Sequence, residues 1–171
     1  ADSFDTVIDL LNRFRSGLAG TLSAFEVMWQ SYYRGVTGEN DHKPPMSRDY
    51  PFYMIVEAEG FDAETDQVRF EGILESAFEN GLIVDAIVPK SERERGELWL
   101  IREVFDPILP AYLYDVSLPI KHMVAYTQEI ETRLASELND THSVVFGHIA
   151  DGNLHIFVTP YQDEHHHEAA D

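Results

Sequence analysis

Apolar residues recur at spacings of three and four at Val7, Leu10, Leu11 and Phe14. That is the rhythm of one helix face, and Gly17 and Gly20 close it. TLSAFEVMW (21–29) then reads as a strand running into a short aromatic helix, WQSYYRGV (29–36). The polar, proline-containing stretch TGENDHKPPMSRDYP (37–51) reads as a loop. Beyond it, FYMIVEAEG (52–60) is predicted as a strand and FDAETDQVRFEGILESAFENG (61–81) as a helix ended by Gly81. LIVDAIVP (82–89) is predicted as another strand, bounded by Pro89. SERERGELWLIREVFDPIL (91–109) follows as a helix with Ser91 placed to cap it. AYLYDVSL (111–118) reads as a strand, and PIKHMVAYTQEIETRLASELN (119–139) as a long helix with Pro119 near its start. SVVFGHIA (143–150) and NLHIFVTP (153–160) are the last strands, joined at Asp151-Gly152. Strands alternate with helices, but the final pair is a hairpin. This favours an α+β domain, an antiparallel sheet covered by helices on one face, over a parallel doubly wound sheet.

The final turn carries the most chemistry. Asp-Gly between alternating apolar residues is a strong signal for a type I′ hairpin, whose two central residues both need positive φ. With Asp151 and Gly152 at the centre, His148 faces His155 across the ladder. Directly opposed residues have Cβ atoms ~4.5–5.5 Å apart on one sheet face, close enough for two imidazoles to share a metal ion at ~2.0–2.1 Å from each nitrogen. The prediction depends on register, since a one-residue bulge breaks the opposition. Two histidines do not complete a tetrahedral site, and Asp151, the neighbouring carboxylate, is better suited to closing the turn. The alternative is a pair of half-exposed cross-strand histidines that hold nothing.

Composition narrows the field. A chain of 171 residues that is 44% apolar has the size and core of one domain. With 12 Lys and Arg against 31 Asp and Glu, the net charge is −19, spread along the chain. Such a surface repels phosphate backbones and anionic lipid, which argues against nucleic-acid binding and polybasic membrane anchoring. A small anionic substrate stays open, because a single arginine can reverse the field inside a pocket. Without cysteine, only His, Asp and Glu remain as metal-ligating side chains of the usual kind. No run approaches the ~20 apolar residues of a membrane span, and the N-terminal ADSFDTVIDLL lacks the basic region and cleavage pattern of a signal peptide. A cytoplasmic protein is the expectation. The chain starts without Met on a helical pattern and stops at HHHEAAD, which reads as the first turn of another helix. Both ends are expected to be cuts in a longer polypeptide, and His165, His166 and His167 are expected to be solvated.

FGHIADGNLH (146–155), with YLYDVSLP (112–119), ELWLIRE (97–103) and LSAFEVMW (22–29) ahead of it, resembles the C-terminal domain of FAD-linked oxidases. That family includes D-lactate dehydrogenases, glycolate oxidase flavoprotein subunits and D-2-hydroxyglutarate dehydrogenases. The resemblance implies a ferredoxin-like α+β substrate domain over residues 1–171 that caps FAD, with the flavin-binding domain of the same polypeptide as its partner. It implies that His148 and His155 are catalytic and hold a divalent zinc or manganese ion. The third ligand in the family typically comes from an S-x-E-H-G segment, which these residues do not contain. Arg102 matches a position that holds the substrate carboxylate in some members. The implied reaction is oxidation of a small D-2-hydroxy acid to the 2-oxo acid, with a hydride passing to FAD.

Three positions depart from the members that act on 2-hydroxyglutarate. Leu113 stands where lysine is frequent, Phe157 where asparagine is, and Asp106 where threonine is common. A smaller or more apolar substrate is expected. Asp115 is a candidate acceptor for a histidine N–H or a cap for the following helix. Glu129, Glu131, Glu137 and Asp140 are expected in solvent, and Trp29 and Trp99 in the core. The competing reading is a stand-alone binding module, possible as a homodimer, in which the histidine pair is a structural clip. On the family reading the 171 residues by themselves show no turnover, since no residue among them is assigned to the flavin.

Overall fold

The computed structural model describes residues 1–38, 42–138 and 140–159, so the expectation for His165–His167 lies outside the described residues. Helix α1 spans Phe4–Gly17, with Ser3 Oγ accepting from the Thr6 amide to satisfy one of the free N–H groups at its start. Strand β1 (Leu22–Trp29) leads directly into α2 (Gln30–Val36), and β2 (Phe52–Ala58) into α3 (Ala63–Glu79). Helix α4 (Glu92–Glu103), β3 (Tyr112–Ser117), α5 (Met123–Glu137), β4 (Ser143–His148) and β5 (Asn153–Val158) complete the described elements. The five strands form one sheet in the order β2-β1-β4-β5-β3, every pair antiparallel. This is the α+β, ferredoxin-like arrangement.

Alternation along the inner strands divides the core in two. Phe25 and Val27 of β1, Val145 of β4, and Leu154 and Ile156 of β5 belong to one cluster with Val7, Leu10, Leu11 and Phe14 of α1, Ala77 of α3 and Met123 of α5. Met28, Val144, Phe146 and Phe157 point the other way, into a smaller cluster with Tyr32, Tyr33 and Val36 of α2 and Ile101 of α4. The principal helical layer therefore lies on one face, and α2 and α4 close part of the reverse face. The unclosed part of that face carries the polar residues described below.

Two sequence expectations need correction. Residues 82–89 form no strand: among them only Ile83 is buried, while Val84, Ile87 and Val88 stand exposed. A strand needs a partner edge as well as β-branched residues, and no strand of the sheet pairs with this segment, which crosses from α3 to α4 as irregular chain. The helix expected to reach 109 ends at Glu103. Pro107 has no N–H and disfavours helical geometry in the residue before it, so the chain continues as a 3-10 turn over Asp106–Ile108. Ser91 does cap α4, its hydroxyl accepting from the Glu94 amide at 3.2 Å.

Helix α4 is fastened to the edge strand β2 at Glu57. Arg95 donates to both carboxylate oxygens, each at 2.7 Å, and Trp99 Nε1 donates to the same group at 2.8 Å. Trp99, expected in the core, is only half-buried and uses its polar edge. The Arg95 hydrogen bonds are the main reason the Glu57 carboxyl is held below its ordinary range. Glu57 thus binds protons more weakly folded than unfolded, and its stabilisation is present above the unfolded value and lost as pH falls through the folded one. Glu57→Gln is expected to lower stability at neutral pH by about 1 kcal/mol, the exposure of Arg95 keeping the figure small. Chemical denaturation of both proteins should show the gap closing below pH ~4.5.

Candidate functional site

The β4–β5 hairpin departs from the predicted turn. The strands pair Val145 with Ile156 and Phe146 with His155. The connection is a 3-10 turn, Ile149–Asp151, followed by Gly152 at φ 75°. Only Gly152 has positive φ in this turn, so the type I′ geometry expected at Asp151-Gly152 is not adopted. Two contacts account for this. Ile149 is fully buried in the larger core cluster, and Arg15 at the end of α1 donates to the Ala150 carbonyl at 2.5 Å. His148 therefore does not face His155; its partner in register is Glu26 on β1. The register differs from the expected one by two residues, an even number, so the two histidines still project from the same face. Their rings meet edge-on as diagonal neighbours, with centroids 5.4 Å apart.

Gly147 makes that hairpin possible. A β-carbon at this position would lie 2.3 Å from the Asn153 carbonyl oxygen and 2.9 Å from the Leu154 Cα, both backbone atoms that cannot turn aside.

On the reverse face a row of polar side chains crosses the sheet. Glu26 of β1 stands beside His148 of β4, and His155 of β5 is directly opposite Asp115 of β3. The Glu26 carboxylate is 3% exposed. It contacts His148 Nδ1 through Oε1 and accepts from Arg102 Nε through Oε2 at 2.7 Å. Arg102 Nη2 lies 3.0 Å from His148 Nε2. Asp115 Oδ1 lies 2.5 Å from His155 Nδ1. Burial pushes the His155 imidazolium down in pKa, and the nearby Arg102 charge adds to this, while Asp115 opposes both. The neutral ring is the favoured form.

Arg102 reaches the row from the last turn of α4. Tyr32 at the base of α2 donates to its carbonyl at 2.9 Å, fixing the end of the helix. The guanidinium lies 4.6 Å above the Phe146 ring, a cation–π contact. Nε is directed at Glu26 and one Nη at His148, so part of the guanidinium fork is already engaged.

The three predicted site residues, His148, His155 and Arg102, thus come together in space. Glu26 was missed, although its signal is visible: one carboxylate inside the apolar strand LSAFEVMW. Glu131, expected in solvent, instead accepts from the Ser143 amide at 2.8 Å and from its hydroxyl. Of the three departures, Phe157 is buried between Phe105 and Phe146, at centroid distances of 5.3 and 5.9 Å. Leu113 faces Phe157 across the β3–β5 ladder, and Asp106 opens the 3-10 turn after α4. Among the described residues no cluster of three or more His, Asp or Glu is placed to hold a metal ion. The donor set fits one in part: each histidine has a carboxylate at Nδ1, the arrangement that orients metal-bound imidazoles through Nε2, but only two such ligands are present and Arg102 Nη2 stands at the Nε2 of His148.

An antiparallel α+β domain with this polar row, built around G-H-x-x-D-G-N-x-H, belongs to the FAD linked oxidases, C-terminal domain, which the chain matches over residues 1–171. A putative mitochondrial D-lactate dehydrogenase of Schizosaccharomyces pombe is 31% identical over 94% of the chain and 33% of its own length. Mitochondrial D-2-hydroxyglutarate dehydrogenase of Rattus norvegicus is 31% identical over 91% of the chain and 29% of its own length. The Stutzerimonas stutzeri D-2-hydroxyglutarate dehydrogenase is 30% identical over 90% of the chain and 33% of its own length. The chain spans about a third of these relatives. Among the described residues no helix is long and apolar enough to cross a membrane.

Gly147→Ala is expected to destabilise by about 2–3 kcal/mol, because the new methyl meets backbone. That corresponds to a fall in Tm of roughly 4–12 °C for a domain of this size. Thermal unfolding checks it; an unchanged Tm would mean that the hairpin crosses less tightly than described.

Proposed function

We propose that this chain is the substrate-binding part of a flavin-dependent oxidoreductase that oxidises a small D-2-hydroxy acid to the 2-oxo acid. The observation that carries the reading is the gathering of Arg102, His148 and His155, from three separate elements, on one half-open sheet face. Membership of the FAD-linked family supports it, as do the names of the relatives. The rest of Arg102's donor fork is suited to a carboxylate. A proton on the substrate's 2-hydroxyl can pass to His155 Nε2, because Asp115 engages Nδ1 and burial keeps the ring neutral. Hydride acceptance is the chemistry FAD supplies when bound. Were a divalent ion bound, the Nε2 atoms of His148 and His155 would hold it in place of the Arg102 contact and of proton acceptance by His155, and it would polarise the hydroxyl. The remaining ligands would come from outside the described residues.

The surroundings favour a short substrate. Leu113 and Phe157 share the face of His155 and offer no partner to a second carboxylate, whose burial without one is costly. We infer a monocarboxylate such as D-lactate over 2-hydroxyglutarate. The proposed compartment is the cytoplasm, and fractionation that recovers the protein with mitochondria would reject it. The competing reading, a self-pairing module, draws on the edge strand β3, where Tyr112, Leu113 and Tyr114 are exposed.

The test uses a polypeptide that carries this chain together with a flavin-binding domain. Anaerobic D-lactate should bleach the flavin, D-2-hydroxyglutarate should do so at least ~10-fold less efficiently, and Arg102→Ala should lose most of the response through KM. Bleaching by neither acid would reject the reading. Zinc and manganese titrated calorimetrically into the 171 residues should bind weakly, and binding should vanish in the His148→Ala, His155→Ala protein. Equal heats from both proteins would remove the pair as ligands.

A further inference from the structure

Glu26 lies on the second strand of the sheet order, 3% exposed, with neighbours on both sides. Burying a carboxylate is costly unless donors meet it. Here the two donors come from elsewhere in the chain, Arg102 of α4 at Oε2 and His148 of β4 at Oε1. Their chemistry leaves one consistent arrangement of protons. A guanidinium can only donate, so His148 Nε2, 3.0 Å from Arg102 Nη2, must be the accepting nitrogen. The nitrogen facing a carboxylate must be the donor, so Nδ1 carries the hydrogen. A ring protonated on Nε2 would set two donors against each other.

We propose that Glu26 is a positioning residue: it fixes His148 as the Nδ1–H tautomer, so that Nε2 is the nitrogen that accepts from Arg102 Nη2, and it holds the Arg102 fork beside the His148 ring. Two groups read above as contacting substrate or metal would then owe their orientation to one carboxylate that contacts neither. The side chain must be a glutamate in charge and number of acceptors. A glutamine offers one oxygen where two donors converge, and its NH2 would face one of them. The role rests on the reading that His148 and Arg102 serve the site, but its test needs no flavin, substrate or metal.

The test is long-range proton–nitrogen NMR on the 15N-histidine-labelled chain, recorded above the ordinary imidazole range, with His148 identified by the signals missing in His148→Ala. Native protein should show His148 as a single tautomer with its lone pair on Nε2. Glu26→Gln, still folded by circular dichroism, should show a mixture of tautomers or the opposite one. Arg102→Met should retain the native tautomer, because the hydrogen bond to Glu26 remains. A native His148 with its hydrogen on Nε2, or divided between the two nitrogens, would overturn the proposal even if Glu26→Gln failed to fold. So would an unchanged tautomer in folded Glu26→Gln, whatever its Tm, since a carboxylate that merely plugs the sheet alters stability and not proton placement. Loss of the tautomer in Arg102→Met would transfer the role to Arg102 and reject Glu26 as its cause. Failure of substrate or metal to bind would count against the proposed function and leave these outcomes as they stand.

Discussion

A carboxylate without solvent has to be met by donors, and on the reverse face of this sheet the surrounding elements are arranged to meet Glu26. Helix α4 delivers Arg102 to one oxygen and strand β4 delivers His148 to the other. Removing Arg102 would leave the buried charge without its counter-ion, a loss far larger than the modest net worth of the pair itself. The positions of α4 and β4 over β1 are therefore coupled through three side chains. Tyr32 and Glu57 take up the rest of α4, one at its end and one along its side, so the helix that carries the arginine is held at three points.

The same sheet face does two kinds of work without a domain boundary. Met28, Phe146 and Phe157 pack against α2 and α4, while one step along the strands Glu26, His148 and His155 form the polar row. The border between them is shared. Phe146 contributes to the apolar cluster, packs against the tilted Tyr32 ring, lies under the Arg102 guanidinium and touches the His155 ring. Packing thus sets the geometry of the polar groups directly. A change in aromatic packing would be felt as a shift of arginine or imidazole.

Most of the fold was legible because its elements declare themselves by period. The α1 face, the Ser91 cap and the five strands of the sheet follow from residue spacing. Residues 82–89 misled because an apolar, β-branched run does not say whether a partner edge exists. His148 and His155 were brought out as a candidate pair by hairpin spacing and again by the family pattern, Arg102 by the family pattern alone. The hairpin failed in detail because Asp-Gly specifies a local turn, while Ile149 and Arg15 act on it from outside. Glu26 was visible only as an oddity, since its partners lie 76 and 122 residues away in the chain.

The difference between the expected and observed hairpins has a consequence for how this connection can change length. A slip of two residues kept His148 and His155 on one face, because side chains return to the same side of a strand every second position. Lengthening or shortening the connection by an even number would alter the distance between the rings and preserve their common side. An odd change would send one imidazole into the apolar layer beneath α1 and bring a core residue to the surface. Loop length in this hairpin is therefore constrained by parity before it is constrained by size.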